Sequence, residues 1–165
     1  MTSADFLIRK AERGDIPAVL ELIDALADFE QLARPDTEAL TRFARDGWPT
    51  DGQSQRFTAW LALARQSETE TLIPAAYAIT FETYSSFLAR PTLYLEDIFV
   101  QPDFRRHALG TAMMQRLLQE AAERGCGRMD WVVLDWNTGA QAFYQNLGAK
   151  HLTEWQCYRV TTPIG

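Results

Sequence analysis

Hydrophobic and polar positions in the first third of the chain change period once, and the change predicts a strand followed by helices. Apolar and polar residues alternate over residues 6–12, which is the period of a half-buried strand. Apolar residues then recur at helical spacing over residues 16–32, with Asp15 as the predicted N-cap and Pro17 in the first turn, where its missing N–H is harmless. A second, shorter helix is predicted over residues 37–45.

Strand-like runs occupy the middle of the chain. Residues 57–65 and 72–84 are separated by a short polar segment, so an antiparallel hairpin is the simplest interpretation. Pro74 predicts an edge or a bulge near the start of the second strand, because proline cannot donate to the ladder. A further apolar run over residues 92–100 predicts the next strand.

The last third of the chain alternates between helical and strand periods. Four elements are predicted there: a helix over residues 108–124 that ends at Gly125, an apolar strand over residues 129–136, a short helix over residues 138–148 with Gly148 at its end, and a last strand over residues 154–160. The predicted order is βααβββαβαβ, which indicates a single α/β domain over residues 1–165 with a mixed sheet.

Composition and charge restrict the classes of function. The 165 residues include 47% hydrophobic and 23% charged residues, as in a globular domain with a packed core. A net charge of −6 without a long Lys/Arg run argues against a nucleic-acid partner and fits an amine partner better. The N-terminal segment lacks the apolar core of a signal peptide, and no apolar run approaches about 18 residues, so we expect a cytoplasmic protein without a membrane partner. The two cysteines lack metal-ligand spacing, so no metal is expected.

Residues 104–114, FRRHALGTAMM, place basic side chains before a turn of small residues and an apolar helix. The leading N–H groups of a helix have no intrahelical acceptor and lie at the positive end of its dipole, so such a turn suits a pyrophosphate. Arg105 and Arg106 add positive charge at its rim. An ordinary helix start with solvated arginines explains the same residues equally well.

Two ordered segments resemble the Gcn5-related N-acetyltransferase (GNAT) family. Residues 93–114, LYLEDIFVQPDFRRHALGTAMM, are similar to the family's strand, pyrophosphate turn and helix, whose motif is Arg or Gln, two residues, Gly, one residue, then Gly or Ala. Residues 134–149, LDWNTGAQAFYQNLGA, resemble its second cofactor segment. The combination of LYLED, WN and FYxxxGA resembles the spermidine/spermine and thialysine acetyltransferase branch. The resemblance implies a central mixed, mostly antiparallel sheet flanked by about four helices.

The resemblance also implies a site for acetyl-CoA as cosubstrate, without a metal. Backbone groups of Ile98, Phe99 and Val100 are expected to pair with the pantetheine arm as an added strand would. Asn137 and Tyr144 are expected to contact the cofactor from the second segment. The turn residues expected to hold the pyrophosphate are Arg105, Arg106, His107, Ala108, Leu109, Gly110 and Thr111.

Ala108 departs from the family pattern, because that position is usually glycine. Glycine allows close approach of the backbone to phosphate and a positive φ at no steric cost. If the backbone at Ala108 is helical, alanine should be tolerated. If it is left-handed, cofactor affinity should suffer.

Acetyl transfer from a thioester needs a neutral amine as nucleophile, donors to the oxyanion and an acid for the departing thiolate. An alkylammonium has a pKa of about 10.4, so the site must remove a proton. The resemblance assigns the base, acting through water, to Glu96, the general acid to Tyr144, and the acceptor's cationic end to Asp97. Glu96 and Asp97 point to opposite faces of a regular strand unless a bulge turns them, so one carboxylate has a structural alternative. A core-facing tyrosine beside Phe143 is the alternative for Tyr144.

The acceptor is predicted from charge. Glu30 and Glu154 resemble acidic acceptor contacts of the polyamine branch, and with Glu96 and Asp97 they suit a cation. The loop before LYLED lacks the acidic residue and the Trp that polyamine enzymes carry there, and Arg90 would repel a long polycation. We therefore expect a small primary amine, such as a diamine or a basic amino acid like thialysine or lysine, whose carboxylate would meet Arg90.

Other functions stay open on this scaffold. Acetylation of a protein amine or an aminoglycoside is one alternative, since a fold does not determine its acceptor. A non-catalytic acetyl-CoA-binding regulatory module is another, although Glu96 and Tyr144 argue against it. The family resemblance further implies a homodimer, with the C-terminal strand contributing to the interface or to the partner's site.

Overall fold

The computed structural model describes residues 6–50, 52–66 and 71–162. The chain divides into two compact units, residues 1–132 and 133–165, and the single domain expected over residues 1–165 stays a prediction. None of the helices in these described ranges has the length and apolar character that a membrane span requires.

The helices and strands follow the predicted order up to the last helix. In the first unit they are β1 (Phe6–Lys10), α1 (Ile16–Glu30), α2 (Thr37–Gly47), β2 (Thr58–Arg65), β3 (Leu72–Ser85), β4 (Arg90–Val100), α3 (Leu109–Glu123) and β5 (Arg128–Trp131). The second unit contains α4 (Thr138–Asn146). Short 3-10 turns at Arg13–Asp15 and Pro102–Phe104 precede α1 and α3.

The five strands form one sheet in the order β1-β2-β3-β4-β5. The first three pairs are antiparallel and β4 pairs with β5 in parallel, which confirms a mixed, mostly antiparallel sheet. Pro74 lies opposite Leu63, whereas Ala76 lies opposite Ala62, so Ala75 is an extra residue in β3. The bulge that Pro74 predicted is therefore present.

One face of the sheet packs against α1. Val19 and Leu22 of that helix share a buried cluster with Tyr77, Ile79 and Phe99 of the two central strands. This cluster contains the apolar stripe that the helical period predicted. Near the C-terminal end of α1, the ring centroid of Phe29 lies 6.3 Å from that of Phe99 in β4.

The other face is held by an ion-pair network on α3. Glu120 is only 3% exposed, and its carboxylate meets Lys10 at 2.6 Å, Arg124 at 2.8 Å and Arg116 at 3.1 Å. The cations of Lys10 and Arg116 also lie 5.3 and 4.8 Å from the Trp60 ring centroid. Lys10 joins this carboxylate to β1, and Arg124 also pairs with Glu82 of β3 at 3.0 Å, so the network fixes the C-terminal half of α3 against the sheet.

Helix ends follow the predicted residues, with one difference in chemistry. Asp15 stands at the N-cap of α1, but its carboxylate accepts hydrogen bonds from Arg9 and from the Glu12 amide instead of from the helix. Gly125 and Gly148 follow α3 and α4 with φ of 71° and 84°, which confirms both predicted stops.

Two predictions for the last third are wrong. The strand expected over residues 129–136 stops at Trp131, since its pairing with β4 ends there. Residues 154–160 form no strand, because a strand persists only when paired and these residues pair with no other described segment.

Candidate active site

A β-bulge in β4 reorients the two neighbouring acids. Thr80 pairs with Leu95, but the preceding residue of β3, Ile79, pairs with Asp97. Glu96 is therefore an extra residue in β4. A bulge interrupts the alternation of side chains along a strand. Leu95 consequently lies on the α3 face of the sheet, whereas Asp97 lies on the α1 face.

Asp97 shares its environment with two other acids. Glu30 ends α1 and is half-buried, and Glu96 is exposed at the bulge. Burial, together with the negative charges of Glu96 and Glu30, raises the pKa of Asp97 to about 6, so Asp97 titrates only slightly below neutral pH. Burial also raises the pKa of Glu30. Three of the four acids predicted to bind the acceptor, Glu30, Glu96 and Asp97, therefore lie together in the first unit, whereas Glu154 belongs to the second.

Tyr77 is a neighbour of Asp97 that sequence reasoning missed. Its side chain is fully buried, and its hydroxyl makes no hydrogen bond of ordinary geometry within the described part of the chain. Burial raises its pKa above the usual value, so the hydroxyl stays neutral. Its interaction with the Asp97 carboxylate opposes the rise in the Asp97 pKa. A period-2 pattern does not reveal this diagonal contact, which depends on the register of two strands.

The edge of β4 opens beyond the bulge. Pairing with β5 ends at Leu95 opposite Trp131, whereas pairing with β3 continues to Val100. Backbone groups of residues 98–100 on the β5 side therefore have no partner strand in the described structure. Such an edge accepts the amides of an extended chain.

The turn before α3 contains two non-glycine residues in the left-handed conformation. Arg106 and Ala108 adopt left-handed conformations with φ of 63° and 61°. The amides of residues 106–111 donate to no other group of the described chain. Alternating backbone conformations with convergent N–H groups form an anion-binding nest, as does a helix N-terminus. The anion-site interpretation is thus favoured over an ordinary helix start.

Arg105 lies differently from the expected charged rim. Its guanidinium carbon is 4.8 Å from the ring centroid of Phe29 and 5.5 Å from that of Phe99, and its Nε donates to the Val100 carbonyl at 2.9 Å. The side chain therefore contacts α1 and β4. Arg106 and His107 are exposed.

The second unit carries the remaining predicted residues. The Asn137 side chain accepts from the Ala140 amide at 3.1 Å and caps α4, as predicted. Tyr144 is half-buried, with its ring centroid 5.3 Å from that of Phe143. Glu154 is exposed and lies outside any strand. Among the residues that the structure describes, no His, Cys, Asp and Glu group is suited to hold a metal.

Comparisons with known proteins show the family and the fold of this chain. A family model of the acetyltransferase (GNAT) family matches residues 21–149. Thialysine N-epsilon-acetyltransferase from Bos taurus is 32% identical over 93% of this chain and 91% of its own. L-ornithine N5-acetyltransferase NATA1 from Arabidopsis thaliana is 30% identical over 93% of this chain and 83% of its own. The solved structure of the aminoglycoside N-acetyltransferase AAC(6')-Iy in complex with CoA superposes with a TM-score of 0.73 at 20% identity, covering 95% of each chain, and shows the same fold.

Asp97 predicts a pH-dependent stability. Its folded pKa of about 6 lies above the ordinary value of 3.8, so its favourable contribution is complete below pH 3.8 and is lost as the pH rises through 6. We expect Asp97→Asn to gain up to about 3 kcal/mol of unfolding free energy relative to wild type between pH 4 and pH 8. Urea denaturation across this range measures the difference.

Two neighbouring substitutions control for the cause of this shift. Glu96→Gln removes a repelling charge and should lower the Asp97 pKa, whereas Tyr77→Phe removes an opposing interaction and should raise it. NMR titration of the Asp97 carboxyl carbon measures the pKa in both variants. Parallel pH profiles of stability for wild type and Asp97→Asn would contradict the assignment.

Proposed function

This chain belongs to the acetyltransferase (GNAT) family, and we propose that it transfers the acetyl group of acetyl-CoA to the side-chain amine of a small basic amino acid, such as thialysine, ornithine or lysine. The observation that carries the proposal is the group of Glu30, Glu96 and Asp97 beside the open edge of β4. A cationic acceptor and an extended amide-bearing cofactor would meet at this point of the sheet.

The residues of the first unit fit acetyl-CoA by their backbone groups. Ile98, Phe99 and Val100 lie on the open edge of β4 and would pair with the pantetheine amides. The amides of residues 106–111 would hold the pyrophosphate in the nest before α3. The bound cosubstrate supplies the thioester whose carbonyl carbon the amine attacks.

Proton removal from the acceptor is assigned to the acids at the bulge. Glu96 is exposed and would take the ammonium proton through water, as the family resemblance implies. Asp97 faces α1 with Glu30 and would hold the cation. Because Asp97 is mostly ionised only above about pH 6, acceptor affinity should fall below that pH.

Tyr144 is proposed as the general acid that protonates the departing thiolate. The capped first turn of α4 and the contact with Phe143 restrict the orientation of its ring. We propose direct attack in a ternary complex, without an acyl-enzyme. Burial raises the pKa of Cys126, which lowers its thiolate fraction and disfavours a covalent route.

The proposed acceptor is a small amino acid, but Arg90 lies too far from Asp97 to bind its carboxylate. Arg90 precedes Asp97 by seven positions in the same strand, which is roughly 20 Å at about 3.3 Å per residue. A single amino acid whose amine reaches Asp97 is too short to span that distance. The support for a basic amino acid therefore comes from the acids and from the substrates named for the relatives.

A homodimer in the reducing cytoplasm completes the proposal. Trp155, Tyr158 and Val160 are 74, 86 and 88% exposed. Large apolar side chains in one short segment are typical of an interface with a second copy. Cys126 and Cys157 are free, which suits a reducing compartment.

Turnover with a panel of amines tests the reaction and its acid together. We expect thiol release from acetyl-CoA with thialysine, ornithine or lysine, and a fall of about 10²-fold or more in Tyr144→Phe, because the leaving thiolate loses its proton donor. Tyr84→Phe, at a tyrosine 69% exposed in the first unit, should retain the wild-type rate.

The panel also separates the alternatives. Turnover of spermidine without turnover of amino acids would overturn the acceptor assignment. CoA binding by calorimetry without thiol release from any amine would favour a regulatory module or a macromolecular acceptor.

Ala108→Gly tests whether the Ala108 side chain limits cofactor binding. Glycine has no Cβ and lets the backbone of this left-handed residue approach the phosphate closely, so the variant should bind CoA several-fold more tightly. Ala89→Gly is the matched control, since Ala89 has φ of 50° in the turn between β3 and β4. Calorimetry should show tighter CoA binding for the first variant alone. Equal affinities for both variants would contradict a role of Ala108 in limiting cofactor binding.

Trp155→Ser tests the proposed homodimer. Loss of a large apolar anchor should raise the dimer dissociation constant by about 10-fold or more, because such aromatics dominate interface energetics. Sedimentation equilibrium measures the constant. Tyr84→Ser, at a tyrosine 69% exposed in the first unit, serves as the control. A monomeric wild type would refute the interface.

A further inference from the structure

We propose that Arg105 is a positioning residue that couples the cofactor turn to the end of α1, and thereby to Glu30. The inference rests on the proposed function, since it assigns a link between the cofactor and acceptor parts of that site. It differs from the expectation that Arg105 binds phosphate.

The contacts of Arg105 span three segments. Its guanidinium lies over the rings of Phe29 in α1 and Phe99 in β4, whose centroids are 6.3 Å apart. Its Nε donates to the Val100 carbonyl at 2.9 Å. The guanidinium meets two rings while its Nε donates to a carbonyl, whereas the lysine ammonium is a compact point charge that cannot make these contacts at once.

Phe29 connects this contact to the acceptor side. It immediately precedes Glu30, the last residue of α1, after which Gln31 turns into the left-handed region with φ of 58°. Phe29 is 40% exposed, and the Arg105 guanidinium carbon lies 4.8 Å from its ring centroid. The Arg105 guanidinium therefore contributes to fixing the last turn of α1 and the position of Glu30.

The same residue begins the anion-binding turn. Arg105 is extended, with φ of −71° and ψ of 158°, and the left-handed Arg106 follows it directly. A pyrophosphate held by the amides of residues 106–111 would order this backbone, and with it the Arg105 side chain. Cofactor binding would in this way order the end of α1 and strengthen acceptor binding, and linkage makes the effect reciprocal.

Substitutions of Arg105 and Arg106 distinguish this positioning role from an electrostatic contact with the pyrophosphate. We expect Arg105→Ala to raise the acceptor KM by about 10-fold, with a change in CoA dissociation constant of less than about 3-fold. Arg105→Lys keeps the charge and should behave like Arg105→Ala. Arg106→Ala removes an exposed charge beside the pyrophosphate and should weaken CoA binding without raising the acceptor KM. Restoration by Arg105→Lys, or a main effect of Arg105→Ala on CoA binding, would overturn the proposal.

Hydrogen exchange gives a readout that does not need turnover. Binding of CoA to wild type should protect the amides of residues 27–30, and this protection should be lost in Arg105→Lys but kept in Arg106→Ala at saturating CoA. Unchanged exchange at these amides in wild type, or protection that survives in Arg105→Lys, would refute the coupling. Absence of thiol release with every amine would instead refute the proposed function, so the two failures are distinguishable.

Discussion

The change of strand pairing at Leu95 and Glu96 is the constraint on which the site depends. Up to Leu95, β4 pairs with strands on both sides; beyond it, β5 is no longer paired and the bulge inserts Glu96. One event therefore frees the backbone edge of residues 98–100, leaves Glu96 exposed and turns Asp97 toward α1. A regular strand would place Asp97 on the face of Leu95, under α3 and away from Glu30.

The periodicity of hydrophobic residues could predict most helices and strands, because the pattern of buried positions is set by residues close together in sequence. The apolar stripe of α1 and the hairpin of β2 and β3 follow from residues close in sequence, and the glycines at 125 and 148 mark helix ends with positive φ. The motif around residues 104–114 likewise predicted the turn and the start of α3, since small residues and a helix start are local features.

Features that depend on register or on a partner could not be predicted. The sequence allows a bulge at Glu96 but does not require one, so the face of Asp97 and its contact with Tyr77 appear only when β3 and β4 are paired. Stacking of Arg105 on Phe29 joins residues that are distant in sequence. The alternating pattern of residues 154–160 predicted a strand that has no pairing partner among the described residues.

Several features that lower the stability of the fold lie between residues 95 and 108, while the surrounding helices and strands are regular. An unpaired strand edge, an acid buried beside other acids and a left-handed alanine each lower stability, and such departures persist only where adjacent structure holds them. Two stable parts of the structure adjoin these residues. One is the buried cluster between α1 and the sheet, and the other is the set of ion pairs around Glu120 on α3. Three cations pair with the Glu120 carboxylate and compensate its buried charge. The charges that shift the pKa of Asp97 are instead those of two other acids, Glu96 and Glu30. That contrast assigns structure to one acid and leaves the other suited to a cation brought by the acceptor.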